Sequence, residues 1–411
     1  MTEVRPAIWD DFDAYFAAMG GPFAFTLPPA GDKREQFRQR VRSYARFERN
    51  HIAEDAGQIV GTLGVFDLDL TVPGGSMTCA GTTGVAVSAT HRRRGVLRAL
   101  MTAHLEEAID HGDPIAALWA SESSIYDRFG FGVGSRELRL TVDRDHAGFR
   151  SDAPTPEPTR FIDLEEAAQL LPPVYERIRR DLPGSYGRSD AWWTNRRLRD
   201  DPDEREGMSD LRTLVSLGPG GEVTGYAQIR IEPRWGESHA DHKVRVIELF
   251  GTTPESWAGI WSAAIGHDLA GTVEASHRAL DDTLLCMLAA PRRTTQALSD
   301  NLWIRILDVE AALTGRSYSG SGSLTFGVSD RIGLTEGTWH LETDGGATTC
   351  STTDDEPLIS FDIEVLGAAM LGRPRFFELM RVGRVDGDPD VAIAADRIFR
   401  HHRAPVCPEV F

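Results

Sequence analysis

The chain has 411 residues, of which 41% are hydrophobic and 26% charged, and its formal net charge is −18. Single hydrophobic cores stop growing at roughly 250–300 residues, so this length and ordinary globular composition predict two or three domains. The acidic surplus repels phosphate backbones and excludes nucleic acid as an expected partner, whereas it favours cationic ligands or simple solubility.

Targeting segments are not evident in the sequence. No stretch approaches the roughly 20 consecutive apolar residues of a membrane span. The first residues lack the charged-then-apolar order of a signal peptide. We therefore expect a cytoplasmic protein with no membrane span, and secretion by a route that needs no signal stays open.

The first part of the chain alternates strand and helix patterns. Apolar residues between positions 96 and 111 recur at helical spacing, which predicts an amphipathic helix. Gly64 interrupts an alternating stretch and predicts a short strand on either side of it. The predicted strands lie at residues 58–72 (in two pieces), 82–87, 115–120 and 137–142, the last ending the first domain, and a short helix is expected at residues 121–129.

A linker and a second strand–helix segment follow. Residues 152–158 (DAPTPEP) hold three prolines and two acidic residues, which predicts a linker. Two strands, at residues 225–231 and 244–250, precede a helix for which Thr253 is the expected cap and Pro254 the first residue. This segment repeats the earlier order of elements but lacks a basic turn with a glycine.

The last part of the chain has a different composition. From about Leu302 it is rich in Gly, Ser and Thr, which predicts strands and hairpins, with short apolar helices at residues 365–371 and 376–382. The four cysteines lack metal-ligand spacing and are predicted to be buried thiols, so neither a disulfide framework nor a metal site is expected. They are Cys79, Cys286, Cys350 and Cys407.

The most informative stretch joins a strand to a helix through a basic turn. Arg92, Arg93 and Arg94 supply donors suited to phosphate oxygens. Gly95 removes a Cβ where a ligand would approach the backbone, and the helix beginning at Val96 offers unpaired N–H groups and the positive end of its dipole. Together they predict a pyrophosphate-binding site. The alternative is a solvated basic helix start.

This turn resembles the acetyl-CoA motif of the GNAT superfamily, Gln/Arg-x-x-Gly-x-Gly/Ala. It departs from that motif at Leu97, where the family commonly has a small residue. The resemblance implies that acetyl-CoA is the co-substrate and that main-chain groups of Val85 and Val87 pair with its pantetheine arm. Further implied contacts to acetyl-CoA come from Arg92, Arg93, Gly95, Val96 and Ser121.

Tyr126 lies in a stretch, residues 125–131, that resembles the GNAT segment ending in Tyr…Gly-Phe. The resemblance implies that its hydroxyl faces the sulfur of the departing CoA. A phenol with a pKa of about 10 keeps its proton at neutral pH until a thiolate takes it, which suits a general acid. The alternative is a tyrosine packed in the core.

The chain as a whole resembles the Eis (enhanced intracellular survival) family of actinobacterial acetyltransferases, through residues 85–101, 121–131 and 248–261 and the terminal Cys-Pro-Glu-Val-Phe. The resemblance implies an α/β fold with mixed (α+β) sheets, assembled as a homohexamer. It also implies an active GNAT domain, a degenerate GNAT-like domain without cofactor, and a domain like sterol carrier proteins. The domain ranges that we expect are 1–150, 151–298 and 299–411, respectively.

The acceptor and the base also follow from the resemblance. Aminoglycoside amines, often acetylated at more than one position, and lysine side chains are the implied acceptors. No histidine or carboxylate beside the motifs stands out as a base, and the resemblance supplies the α-carboxylate of Phe411. Candidates for substrate contacts are Phe25, Trp193 and Glu409, with Phe23 beside them. A protein-lysine acetyltransferase and a non-catalytic acyl-CoA or lipid carrier stay open as alternatives.

Overall fold

The computed structural model describes residues 2–237 and 239–411. The strands, in chain order, are β1 (Glu3–Pro6), β2 (His51–Asp55), β3 (Gln58–Val72), β4 (Gly75–Val87), β5 (Ile115–Trp119), β6 (Gly132–Val133), β7 (Arg136–Asp143), β8 (Thr159–Ile162), β9 (Arg212–Leu217), β10 (Val223–Glu232), β11 (His242–Gly251), β12 (Ala270–Arg278), β13 (Thr295–Asp300), β14 (Leu302–Ile306), β15 (Gly322–Ser329), β16 (Gly337–Thr343), β17 (Thr348–Thr352), β18 (Ile359–Asp362) and β19 (Val385–Gly387). The helices are α1 (Phe12–Phe23), α2 (Asp32–Tyr44), α3 (Val96–His111), α4 (Leu164–Arg179), α5 (Asp190–Trp192), α6 (Pro254–Ile265), α7 (Leu284–Met287), α8 (Val309–Thr314), α9 (Ile363–Ala369), α10 (Phe376–Met380) and α11 (Pro389–Phe399).

The chain divides into two compact units. The first contains the chain as far as Ser135, Asn301–His402 and Val410–Phe411, and the second contains Arg136–Asp300 and Arg403–Glu409. The first unit holds a seven-stranded sheet, β1-β2-β3-β4-β5-β14-β6, and a five-stranded sheet, β17-β16-β15-β18-β19. The second unit holds a seven-stranded sheet, β13-β7-β12-β11-β10-β9-β8. Mixed sheets with helices are the predicted fold class.

Helix α3 connects two parallel strands of the first unit, β4 and β5. It spans the residues that the apolar spacing predicted, and its buried face includes Leu100, Met101 and Leu105. These side chains pack in the core cluster formed with the sheet. The helix ends at Gly112, whose φ of +84° is the left-handed conformation that closes many helices.

Helix α6 makes the corresponding connection in the second unit, between the parallel strands β11 and β12. The predicted cap is found: the Thr253 hydroxyl accepts from the Ser256 N–H, the Ser256 hydroxyl contacts the Thr253 N–H, and Pro254 is the first helical residue. Its buried residues Ile260 and Trp261 pack into the core of this unit.

Residues 58–72 form the single long strand β3, not the two short strands that we predicted. Gly64 does not interrupt this strand. A Cβ at this position would lie 3.0 Å from both Thr83 Cγ2 and the Tyr15 hydroxyl. The glycine therefore allows Thr83 and Tyr15 to pack closely against β3. The prediction that it marks a break between two strands is wrong.

The short helix predicted at residues 121–129 is also wrong. The segment is a series of turns that contains only a 3-10 turn at Asp127–Phe129. Its run Ser-Glu-Ser-Ser explains this, because serine side chains hydrogen-bond to nearby backbone in turns and so disfavour helix interiors.

We expected strand β7 to end the first domain, and this is wrong. It lies in the sheet of the second unit, between β12 and β13. In the first unit, the neighbour of β5 is instead β14, which pairs with it in antiparallel fashion. This pairing joins segments about 180 positions apart in the sequence. No local sequence pattern predicts it. The three predicted domain ranges themselves stay a prediction.

Cys79, Cys350 and Cys407 are buried, as predicted, whereas Cys286 is exposed. Cys286 lies on the short helix α7, whose buried side is occupied by Leu284 and Met287. Within the part of the chain that the structure describes, no helix is both long enough and apolar enough to cross a membrane.

Candidate active site

Strands β4 and β5 separate partway along their length. Their parallel pairing begins at Cys79 and Ile115 and ends at Thr82 and Leu118. Beyond that point β4 continues to Val87, and no strand of the described residues pairs with it on the β5 side. We call this point of separation the fork.

A β-bulge in β4 follows directly after the fork. Gly84 and Val85 together face the single residue Leu63 of β3. Gly84 has a φ of +56°, a conformation that favours glycine, and the Thr62 hydroxyl donates to its carbonyl oxygen at 2.9 Å. A bulge bends its strand and interrupts the ladder. The main chain of residues 85–87 is therefore available to a ligand on the β5 side.

The basic turn leads from β4 into α3. Gly95, with a φ of +83°, immediately precedes the helix, and Arg93 has a φ of +60°. The described residues provide no side-chain cap for the helix and no acidic residue in its first turn. Arg92, Arg93 and Arg94 are exposed beside these open N–H groups. This combination of unpaired donors, helix dipole and guanidinium groups suits a pyrophosphate.

A cavity of about 300 Å³ lies at the fork. Its wall combines β4, the segment after β5, the last residue of α1 and the end of the chain. The wall residues are Phe23, Thr82, Thr83, Gly84, Val85, Trp119, Ala120, Ser121, Tyr126, Val410 and Phe411. Among these described residues there is no Asp or Glu side chain, so the anionic group of the wall is the terminal carboxylate.

Phe411 is fixed in this wall and is only 6% exposed. The Thr83 hydroxyl donates to the main-chain oxygen of Phe411 at 3.0 Å. A Cβ at Gly81 would lie 3.3 Å from Phe411 Cε2, so the glycine leaves room for the phenyl ring. One carboxylate oxygen is thus held in place by a hydrogen bond.

Tyr126 is 5% exposed and precedes the 3-10 turn at Asp127–Phe129. Its ring packs edge-on against Phe131, with 6.2 Å between centroids. Burial, with a smaller contribution from the charge of Glu122, raises the pKa of the Tyr126 phenol above its ordinary value. The hydroxyl therefore stays protonated at neutral pH and can donate a proton when a strong base forms nearby.

The structure brings most of the predicted site residues to the fork and the helix start. Phe25, in contrast, is not part of the cavity wall, and its ring packs against Phe16 and Phe37. Phe23, two positions earlier, lies in the cavity wall instead. The predicted residues in the wall are Val85, Ser121, Tyr126 and Phe411, and those between the end of β4 and the first turn of α3 are Val87, Arg92, Arg93, Gly95 and Val96.

Trp193 and Glu409 lie in the second unit. Trp193 is 3% exposed, and its ring packs edge-on against Tyr175. The Glu409 carboxylate is 2.9 Å from Arg188 Nη2 and accepts a hydrogen bond from the Tyr186 hydroxyl at 3.1 Å. Its charge is therefore already compensated within this unit. The role of both residues in substrate binding stays a prediction.

Among the wall residues that sequence reasoning missed are Thr82 and Thr83. The sequence pattern places them only in the strand predicted at residues 82–87. Two adjacent hydroxyls just before the glycine of a bulge were the signal that could have identified them.

The chain matches three sequence families. An Acetyltransferase (GNAT) domain family matches residues 3–134, a second Acetyltransferase (GNAT) domain family matches residues 184–306, and the Sterol carrier protein domain family matches residues 309–408. The order of these matches agrees with the implied order of an active copy, a second copy and a carrier-like domain.

Relatives similar over most of their length include the N-acetyltransferase Eis of Mycobacterium tuberculosis, which is 32% identical over 350 residues, or 81% of each chain. An uncharacterized N-acetyltransferase of Streptomyces avermitilis is 33% identical over the whole of both chains. Among solved structures, Eis1 from Mycobacterium abscessus is 25% identical, with a TM-score of 0.83 over both whole chains. A GCN5-related N-acetyltransferase from Anabaena variabilis shares the fold, with a TM-score of 0.84 at 16% identity over both whole chains.

Proposed function

Because the chain belongs to the Eis family of GNAT N-acetyltransferases and acetyl-CoA is its acetyl donor, we propose that it acetylates primary amines, in particular aminoglycosides at more than one position, with Tyr126 as general acid and the Phe411 carboxylate as general base. The observation that most supports this proposal is that the phenol and the terminal carboxylate belong to the wall of one cavity. Amine acetylation needs one group that accepts a proton and another that gives one.

The residues at the fork and the helix start fit acetyl-CoA. When bound, it supplies an acetyl group on a thiolate leaving group. Arg92, Arg93 and Arg94 and the first N–H groups of α3 hold its pyrophosphate, and the main chain of residues 85–87 pairs with the pantetheine arm. A Cβ built on Gly95 meets no described atom within 4 Å, so the space over the helix start is open to a ligand.

Phe411 and Tyr126 carry out the proton transfers. The acceptor amine arrives as an ammonium ion and has to lose a proton before its nitrogen attacks. The Phe411 carboxylate takes this proton before the attack, and the positive nitrogen releases a second proton to solvent once the C–N bond has formed. Tyr126 gives its hydroxyl proton to the sulfur as the C–S bond breaks.

Replacing Gly95 with Ala is expected to weaken CoA binding about tenfold, measured by isothermal titration calorimetry. The added methyl group occupies the space over the helix start, and a tenfold loss corresponds to about 1.4 kcal/mol. The matched control is Gly112→Ala at the other end of α3, where φ is +84° and the described residues likewise leave a Cβ without neighbours within 4 Å. Both variants strain the backbone by about 1–2 kcal/mol. Equal CoA affinities of the two variants would argue against a phosphate site at Gly95.

Two features of the protein bear on the choice of acceptor. The net charge of −18 raises the local concentration of polycations, which favours aminoglycosides. The cavity wall, on the other hand, includes Phe23, Trp119 and Val410 and has no acidic side chain within the described chain. Such a wall suits the alkyl stem of a single amine, so protein lysines are the second candidate.

Mass spectrometry of kanamycin or tobramycin after incubation with protein and acetyl-CoA tests the acceptor. Gains of two or more acetyl groups are expected if aminoglycosides are substrates in several orientations. A gain of one group keeps the reaction but indicates a narrower site. No gain, together with acetylation of a lysine-containing peptide, would replace the first candidate by the second. Tyr126→Phe serves as the background control in each assay.

The proposed assembly follows from the family resemblance, and the proposed location is the one expected from a sequence without a signal-peptide pattern. We propose a homohexamer in the cytoplasm. Light scattering after size-exclusion chromatography is expected to give six times the 45.2 kDa mass of the chain, and the mass of a single chain would contradict the hexamer.

A further inference from the structure

A buried histidine lies directly behind the cavity wall. His104 of α3 has no exposed surface, and its Nε2 is 2.8 Å from the Thr82 hydroxyl oxygen. Thr82 is part of the wall and forms the last paired position of β4 before the fork. Neither residue has a place in the proton transfers described above.

His104 is uncharged. Burial lowers its pKa to about 3, with smaller contributions from His51 and from the charge of Arg49. The His51 ring lies 6.2 Å away, and burial lowers its pKa too. At neutral pH the His104 ring therefore has one N–H donor and one lone pair.

The surroundings of His104 decide which nitrogen carries the hydrogen. Nδ1 has no hydrogen-bond partner in the described structure. A buried N–H without an acceptor costs more than a lone pair without a donor, and orphaned N–H groups are the rarer of the two in proteins. The hydrogen therefore belongs on Nε2, which donates it to the hydroxyl oxygen of Thr82.

This arrangement determines what the Thr82 hydroxyl can do. Its oxygen already accepts from His104, so its own hydrogen is left to donate elsewhere. The described residues offer it no second hydrogen bond, and the residue borders the cavity that contains Tyr126 and Phe411. The hydroxyl is thus a fixed donor at the wall of the reaction site.

We propose that Thr82 donates a hydrogen bond to the carbonyl oxygen of the acetyl group during transfer, and that His104 is the positioning residue that holds the hydroxyl in this orientation. This inference rests on the proposed function. As nitrogen attacks the carbonyl carbon, negative charge grows on the carbonyl oxygen, and a donor already in place stabilises it without reorganisation. The proton itself stays on Thr82.

The variant Thr82→Val keeps the shape of the side chain and removes the hydroxyl. Its kcat is expected to fall about 100-fold, the usual effect of losing one such donor. The affinities for acetyl-CoA and for CoA, measured by calorimetry, give a readout that does not depend on turnover. Acetyl-CoA is expected to bind about fivefold more weakly, the effect of one neutral hydrogen bond, and CoA, which has no carbonyl at that position, as well as before. Thr82→Ser keeps the hydroxyl and is expected to retain most of the kcat.

The double variant Thr82→Val/His104→Leu separates catalysis from folding. It removes both partners of the buried hydrogen bond, so thermal stability is expected to stay near that of the parent, while kcat remains about 100-fold low. A parental kcat in this double variant would overturn the proposal, as would equal weakening of acetyl-CoA and CoA in Thr82→Val. If Tyr126→Phe still lowers kcat about 10²-fold or more in that case, the proposed function stands and only the role of Thr82 is wrong.

Discussion

Removal of Phe411 is expected to lower kcat by about 10²–10⁴-fold, the usual contribution of a general base. The terminal carboxylate is the anionic group of the cavity wall, and it is fixed by the Thr83 hydroxyl at 3.0 Å. Truncation moves the terminus to Val410, about 3.6 Å back along the chain. Steady-state acetylation of an amine at saturating acetyl-CoA measures the loss, and CoA affinity is expected to be unchanged because the pyrophosphate contacts lie at the start of α3.

Two further variants separate the carboxylate of Phe411 from its ring. Phe411→Ala keeps the carboxylate and loses the ring that packs against Gly81, so a smaller decrease in kcat is expected. Addition of one glycine after Phe411 keeps the ring but displaces the carboxylate, so the activity is expected to fall as far as in the truncated protein. A truncated enzyme with the parental kcat would remove Phe411 from the mechanism.

Strands β11 and β12 of the second unit also separate partway along their length. β11 and β12 pair in parallel as far as Val246 and Ala275. Beyond this point the Arg278 guanidinium donates to the Leu249 carbonyl at 2.8 Å and forms an ion pair with Asp282 at 2.7 Å. In the first unit, the main chain after the fork is available to a ligand. In the second unit, the Leu249 carbonyl at the corresponding place already accepts a hydrogen bond from Arg278. This gives a physical reason to expect no acetyl-CoA in the second copy.

Local sequence patterns correctly predicted where α3 begins and ends and where α6 begins, because local interactions determine these positions. The bounds of α3 follow from apolar spacing and from a left-handed glycine at each end, and the start of α6 follows from Thr253 and Pro254. The site depends on distant pairs instead. Thr83 and Phe411 are 328 positions apart, and Thr82 and His104 are 22 apart. No periodicity or cap links such residues, so only the fold shows them together.

The same limit explains the weaker substrate predictions. Glu409 was chosen because a carboxylate attracts amines, but the charge of Arg188, which lies more than 200 positions earlier, already compensates it. Phe23 and Phe25 were both candidates because of their aromatic rings, and only Phe23 lies in the cavity wall. Which of two phenylalanines near the end of a helix lines a cavity is decided by the exact turn of the chain at Ala24, where φ is +51°.

Replacing Tyr126 with Phe is expected to lower kcat by about 10²-fold or more, because the departing thiolate then lacks its proton donor. The ring and its contact with Phe131 remain, so the fold and the affinity for CoA are expected to persist. The matched control is Tyr15→Phe, which removes the hydroxyl of another buried tyrosine of the first unit, 2% exposed and outside the cavity wall. Its kcat is expected to match that of the parent.

The pH dependence of the parent enzyme tests the same role of Tyr126 in a second way. Burial, and to a smaller extent Glu122, raises the pKa of this phenol, so the proton stays in place to a higher pH than on a solvated tyrosine, whose pKa is about 10. The kcat of the parent is therefore expected to show no decline due to Tyr126 between pH 7 and about pH 9.5. Glu122→Gln lowers the phenol pKa and is expected to bring any alkaline decline to lower pH. A Tyr126→Phe enzyme with the parental kcat and the parental pH profile would show that the thiolate receives its proton from another source.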